Sequence, residues 1–235
     1  MRTLAIIPAR GGSKRVKNKN LLKLGHKPLI NWTIDLIINL VEIENTLVTT
    51  DSVEIASHSK KSGALVPWLR PNFLAQDESS TADTVLHALD WYESEYGNVD
   101  AVMVLQPTSP FRKNSTIEAG LKLFAENKSY PVVAVSIVNE HPMWMFQTKD
   151  NLLIPYMESN GFKMRSQELP PLFIVNGSFY LISPHQLRTQ RSLIGIRNFP
   201  LVVDSMIEAL DIDTEWDFKI AQMIIENFQK NDEVL

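Results

Sequence analysis

Leu4-Ala5-Ile6-Ile7-Pro8-Ala9-Arg10-Gly11-Gly12-Ser13-Lys14-Arg15-Val16-Lys17-Asn18-Lys19-Asn20 decides how the rest of the chain is read. Its first four residues form an apolar run cut off by a proline, the mark of a short buried strand. The sequence then turns polar at once, with two adjacent glycines and five cations (Arg10, Lys14, Arg15, Lys17, Lys19) within ten residues. Glycines let a backbone turn tightly and offer N–H groups to an anion. The spacing is neither the Gly-x-x-x-x-Gly-Lys-Ser/Thr of a P-loop nor the Gly-x-Gly-x-x-Gly of a dinucleotide fold. Two readings stand: a solvated basic loop, or an anion cradle at the carboxyl end of the first strand. The whole chain carries a net charge of −4, so a cation run confined to one turn favours the cradle, with phosphate as its anion.

Outward from this stretch, strand and helix signals alternate. Residues 28–38 have helical spacing with a proline at the start, where helices tolerate it. Residues 46–50 are β-branched and strand-like, and 52–61 read as helix. Residues 84–96 read as helix capped by Thr81 or Asp83, and 101–105 as a strand buried on both faces. A helix over 113–127 and a strand over 132–138 follow. Such alternation predicts an α/β fold with a mostly parallel sheet and right-handed crossovers. Its ligands are expected at the carboxyl ends of the strands. Residues 139–171 break the rhythm. They are rich in Met and aromatic side chains, show no clear helix, and read as an extended hairpin or arm. Either this arm is a partner surface or it is a meander packed on its own core. Strands are expected again over 177–182 and 201–203, and an amphipathic helix over 213–228. No repeat or domain boundary appears, so residues 1–235 read as a single domain.

Composition excludes several classes. Cysteine is absent, which removes disulfides, thiolate metal sites, Fe–S ligation and a Cys nucleophile. With 44% hydrophobic and 21% charged residues the chain reads as globular, and its slight acidity gives no field for nucleic acid, so none is expected as a partner. No apolar run approaches the ~18–20 residues of a membrane span, so no membrane partner is expected. Residues 4–7 are too few for a signal-peptide core, and the chain is read as cytoplasmic. The five histidines form no metal pair, and no Gly-x-Ser-x-Gly elbow supports a hydrolase triad.

Three further groups can carry chemistry. Gln106-Pro107-Thr108-Ser109-Pro110-Phe111-Arg112 directly follows a buried strand, and its prolines stiffen the turn. Gln106, Thr108 and Ser109 would project there; alternatively this is a polar turn in which Ser109 caps the next helix. In Asp211-Ile212-Asp213 an extended backbone would turn both carboxylates to one side. Such a pair suits Mg²⁺ (or Mn²⁺) held together with substrate phosphates and water. The competing reading makes Asp213 or Thr214 the N-cap of the last helix, with Glu215 or Asp217 in its first turn. Arg70-Pro71 with Asp77-Glu78-Ser79-Ser80-Thr81 offers a cation and hydroxyls for a base or ribose, or simply leads into a helix.

A basic anion loop plus paired acids outlines a nucleotide–metal site, and at this point the chain resembles a known family. Pro8-Ala9-Arg10-Gly11-Gly12-Ser13-Lys14 with Lys19-Asn20-Leu21 is similar to the signature of the acylneuraminate cytidylyltransferases, which make CMP-activated nonulosonic acids. Leu69-Arg70-Pro71 with Leu74-Ala75 and Asp77, the segment from Leu105 to Arg112, Asn176-Gly177 with Tyr180, and Asp211-Ile212-Asp213-Thr214-Glu215 resemble further family motifs in the right order. The related Kdo cytidylyltransferases have a different first loop. The resemblance implies a Rossmann-like nucleotidyltransferase domain in a homodimer, with residues 139–173 as a protruding dimerisation element. It implies CTP over Ala9, Arg10, Gly11, Ser13, Lys19 and Asn20, with Arg70, Ser79, Ser80 and Thr81 at base and ribose. It implies the sugar acid at Gln106, Thr108, Ser109, Arg165 and Asn176, and Mg²⁺ on Asp211 and Asp213. Arg10, Lys19 and the two aspartates are then the expected catalytic residues. Where the sialate enzymes carry cations, Ile174, Val175 and Trp144 stand here, which suits a deoxy, N-acylated acid of the legionaminic or pseudaminic type. The alternatives are another sugar nucleotidyltransferase, a nucleotide-sugar glycosyltransferase, or a non-catalytic nucleotide-binding protein.

Overall fold

A computed structural model describes residues 1–127, 129–157 and 161–230. The opening apolar run becomes β1 (Thr3–Pro8), paired parallel to β4 (Ile43–Thr49) on one side and to β5 (Ala101–Val104) on the other. With β6 (Val132–Ile137), β9 (Phe173–Ile182) and β10 (Phe199–Val202) they form a six-stranded sheet in the order β10-β6-β9-β5-β1-β4. β9 alone runs antiparallel to its neighbours β5 and β6. β2 (Lys23–Leu24) and β3 (Lys27–Pro28) make a small hairpin beside the sheet.

Alternation along β1 shows why the sheet is covered on both faces. Ala5 and Ile7 join a core built with α1 (Leu29–Ile37), α2 (Val53–Lys61) and α4 (Asn114–Glu126), through Ile30, Ile34, Ile55 and Phe124. Leu4 and Ile6 point the other way, onto α3 (Thr81–Tyr96) and α5 (Pro184–Gln190), through Val85, Leu89, Tyr92 and Leu187. A third cluster seats α6 (Glu215–Lys230) by Ala221 and Ile225 against Leu24, Leu29, Phe111 and Ile212.

Several expectations need correction. α3 starts at Thr81 and is capped by Ser80, whose Oγ accepts from the Ala82 N–H at 3.1 Å, so neither Thr81 nor Asp83 is the cap. Ser109 does not cap α4; Lys113 occupies that position without a side-chain bond. The strand expected at 177–182 begins at Phe173, and α5, with its Ser183–Gln186 capping box, was not anticipated. No helix among the described residues is long and apolar enough to cross a membrane.

The chain leaves the carboxyl end of β6, runs through the arm and returns on β9, with the Val138 N–H donating to the Leu172 carbonyl at 2.9 Å. Within the arm β7 (Phe146–Lys149) and β8 (Leu152–Pro155) form a hairpin closed by Asp150 and Asn151, both at positive φ. Leu152 and Leu153 point to opposite faces of that hairpin and are 66% and 70% exposed, so it does not pack on a core of its own.

Candidate functional site

β1 passes to β4 on one side and the chain later returns to β5 on the other, so the strand order reverses between β1 and β5. That is where an open α/β sheet binds ligands. A cleft of about 550 Å³ lies there, between the loops that follow these strands.

The loop after β1 forms the cationic wall. The Ala9 N–H still pairs with the Thr49 carbonyl at 3.0 Å, and Ala9 is buried in the core. The Gly11 N–H donates to Asp51 Oδ1 at 2.8 Å, so it serves the fold rather than an anion. A Cβ on Gly11 would stand 2.9 Å from that of Ser52, the cap of α2, which is why the position takes glycine. Asn20 is buried and donates from Nδ2 to the Arg10 carbonyl at 2.9 Å, fixing the Arg10 backbone. Arg10 Nη1 then donates to Asp77 Oδ1 at 2.7 Å, and Lys14 pairs with the same carboxylate. These two cations hold Asp77 below the usual carboxylate range. Lys19, with only 12% of its side chain exposed, donates from Nζ to the Ile212 carbonyl at 2.6 Å and to Asp213 Oδ1 at 3.1 Å. Arg15 lies 3.7 Å from Asp213 Oδ2. Ser13 also lines this wall.

Opposite stand Arg70, Ser79 and Thr81, with Gln76 and Asp77. Arg70 is buried against the end of β4, its Nε 3.2 Å from Thr49 Oγ1 and its Nη2 on the Thr49 carbonyl. Burial pushes its guanidinium down to about 10, with Asp51 opposing that shift. Ser79 Oγ donates to the Phe73 carbonyl at 2.8 Å. Ser80, spent on the α3 cap, faces a neighbouring groove instead.

The loop after β5 supplies the floor through Gln106 and Thr108. β9 bulges beside it where its register with β6 shifts between Val133 and Val135. Gly177 sits in the bulge at φ 77°, and a Cβ there would lie 3.4 Å from Gln106 Oε1 and 3.8 Å from Asp211 Oδ2. Asn176 is turned onto its neighbours: Nδ2 donates to Ser136 Oγ at 3.0 Å, and Oδ1 accepts from Ser178 Oγ at 2.8 Å.

The acid pair follows from one buried residue. The Ile212 N–H donates to the Thr108 carbonyl at 2.8 Å and its side chain is in the α6 cluster, leaving Asp211 half-buried and Asp213 exposed on either side of it. Capping does not use these carboxylates. Thr214 Oγ1 accepts from the Asp217 N–H at 3.2 Å, and Asp217 Oδ2 accepts from the Thr214 N–H at 2.7 Å. Burial pushes the Asp211 carboxyl above the usual range, and the charge of Asp213 adds to this. The Thr108 hydroxyl offsets part of the shift without reaching normal hydrogen-bond geometry. Asp211 Oδ1, Thr108 Oγ1 and Ser109 Oγ are buried with no hydrogen-bond partner among the described residues. Two hard oxygen donors, one of them orphaned, fit a divalent cation that takes its other ligands from phosphate and water. Among the described residues no group of three or more His, Cys, Asp or Glu could hold a metal.

Thus Arg10, Ser13, Lys19, Asn20, Arg70, Ser79, Thr81, Gln106, Thr108 and Asp213 meet at the cleft, with Asp211 close to Gln106 across Gly177. Arg165 does not line it; it lies in the arm, its N–H on Glu168 Oε2 at 3.0 Å. Sequence reasoning missed Asp51, although it follows a strand's carboxyl end, where the sheet rule says to look.

Residues 4–231 match the family model described as cytidylyltransferase. A CMP-N,N'-diacetyllegionaminic acid synthase of Legionella pneumophila is 37% identical over 229 residues, covering 96% of this chain and 97% of that protein. An N-acylneuraminate cytidylyltransferase of Escherichia coli O18:K1:H7 is 32% identical over 224 residues, 94% of this chain and 52% of that protein. Among solved structures, a CMP:2-keto-3-deoxy-manno-octonic acid synthetase complexed with CTP is similar in fold, with a TM-score of 0.69 at 18% identity over 97% of this chain and 99% of that one.

Proposed function

The chain belongs to the cytidylyltransferase family, and from that premise we propose that it transfers CMP from CTP to a nonulosonic acid, releasing pyrophosphate. The observation that carries the reading is the meeting of Lys19 and Asp213 at 3.1 Å, which joins the cationic turn to the acid pair in one cleft.

The anomeric hydroxyl of the sugar acid attacks the α-phosphorus and gives up its proton to solvent, the P–O bond to the β-phosphate breaks, and pyrophosphate leaves. Arg10 and Lys19 bind the phosphates and neutralise charge that grows on the α-phosphate and leaving group. Arg70, Ser79 and Thr81 face the nucleoside, and Gln106 and Thr108 orient the sugar acid. Asp211 and Asp213 would hold Mg²⁺ (or Mn²⁺), which when bound supplies further positive charge at the phosphate oxygens. Higher identity to the legionaminate synthase, and apolar Ile174 and Val175 just before Asn176-Gly177, support a legionaminic-type acid. Residues 1–235 are read as one domain acting in the cytoplasm as a homodimer, with 139–173 as the dimerisation element. The exposed Leu152 and Leu153 support that reading of the arm.

Pyrophosphate release tests this directly. CTP, UTP and GTP are each offered with N-acetylneuraminic, N,N'-diacetyllegionaminic and pseudaminic acids in the presence of Mg²⁺. Release is expected with CTP and at least one of these acids; release with none, or release independent of the sugar, overturns the reading.

A further inference from the structure

Arg112 ends the segment that follows β5, and nothing in the proposed reaction uses it. It is 5% exposed and does not line the cleft, so it cannot touch a triphosphate there. Its guanidinium joins three separate segments. Nη2 donates to the Gln106 carbonyl, Nε to the Ser178 carbonyl, and Nη1 to Thr33 Oγ1 of α1 at 2.9 Å. One of these segments, the loop carrying Gln106 and Thr108, forms the floor, and a second, the β9 bulge carrying Asn176 and Gly177, lies beside it against Gln106 and Asp211. The shifted β6–β9 register interrupts the ladder at that bulge, so a side chain takes over the bonding there. Burial pushes the guanidinium down to about 9, opposed by Asp211 and by the buried Glu208, which accepts from the Lys113 N–H at 3.2 Å. A planar fork can reach two carbonyls and a hydroxyl at fixed angles; a lysine ammonium is a single point and cannot.

We propose that Arg112 is a positioning residue for the sugar-acid half of the site, holding Gln106 and the Asn176–Gly177 bulge in register with Asp211 while the nucleotide half, built from the loop after β1, does not depend on it. The assignment of halves rests on the function proposed above.

The test compares wild type with Arg112→Lys and with Thr33→Val, which removes one prong and keeps the volume. Steady-state rates are measured against CTP and against whichever nonulosonic acid the wild type uses, alongside hydrogen–deuterium exchange of the unliganded protein. Arg112→Lys is expected to raise the sugar-acid KM roughly 10- to 100-fold, a size typical of small misplacement, while the CTP KM stays within about twofold. Exchange should quicken at residues 106–109 and 176–178 and stay unchanged in α3. Thr33→Val should shift both readouts in the same direction by less, and decides the matter if Arg112→Lys does not fold. Both KM values rising together, exchange rising across the whole sheet, or no change at all overturns the proposal. If the wild type releases no pyrophosphate with any acid, the functional reading fails, and the exchange pattern alone then supports or overturns the positioning of these two segments.

Discussion

Lys19 and Asp213 are 194 positions apart in the chain, and their contact carries the site. A sequence shows five cations in one turn but not which of them turns inward. Lys19 does because Asn18, in the left-handed region at φ 54°, redirects the chain into the short turn Lys19–Leu21, where the Ile212 carbonyl receives the ammonium. Lys19→Ala should therefore cost roughly 10²–10³ in turnover, the usual loss for one preorganised charge contact, with the circular dichroism spectrum unchanged. Near-normal turnover would remove Lys19 from its role. Asp211 makes a different prediction. Burial raises its carboxyl pKa in the folded chain, so at neutral pH the ionised group sits less favourably folded than unfolded and costs stability. That cost vanishes as pH falls through the folded value toward the ordinary ~3.9 of an unfolded aspartate. Asp211→Asn should melt higher than wild type at pH 7, with the gap narrowing as the solution is acidified. It should lose turnover and also lose any rise in melting temperature that Mg²⁺ gives the wild type. A variant that melts lower at pH 7 without metal would show that the carboxylate is satisfied in the fold.

The elements were legible to different degrees, and the reasons are local. β1, β5 and β6 are continuous apolar runs, which announce strands covered on both faces. α1 and α4 follow a helical period from one core face to the next. α3 starts three residues before its expected first residue because Thr81 and Asp83 read as capping residues; its cap is Ser80, which the family resemblance places at base and ribose. β9 was half seen. Its first part is bordered by the bulge at Asn176–Gly177, whose conformation depends on Ser136, Gln106 and Arg112 from other elements. No local pattern encodes that. The end of the Asp211–Asp213 segment was readable only as a choice between capping and metal binding, and the Thr214–Asp217 exchange shows that the next residue does the capping. Thr214→Ala should thus destabilise the protein by about 1 kcal/mol in urea unfolding, in the range of lost N-caps. Asp213→Asn, which removes no cap, should leave the midpoint nearly unchanged. The reverse ranking would return Asp213 to a capping role.

At the scale of the molecule, a sheet that buries both faces of its central strands carries an appendage that buries neither face of its hairpin. Residues 4–7, 101–105 and 132–134 are almost wholly inaccessible, whereas Phe146, Leu152, Leu153 and Tyr156 stand in solvent within a span of eleven residues. The hydrophobic effect works against that arrangement in an isolated chain, since each such side chain covered gains about 1.5–3 kcal/mol when fully buried. The arm leaves from the carboxyl end of β6 and returns on β9 at Phe173, three residues before Asn176. In the proposed homodimer a second copy covers the arm, and the species in light scattering should have about twice the 26.7 kDa of the chain. Leu153→Asp would bury a carboxylate in that interface and should yield monomers with greatly reduced turnover. Because Leu153 touches no core residue cluster, the monomer should keep its far-ultraviolet spectrum and cooperative melting. A wild type that is monomeric and fully active at nanomolar concentration would separate the arm from catalysis. A Leu153→Asp dimer with normal turnover would move the interface elsewhere on the molecule.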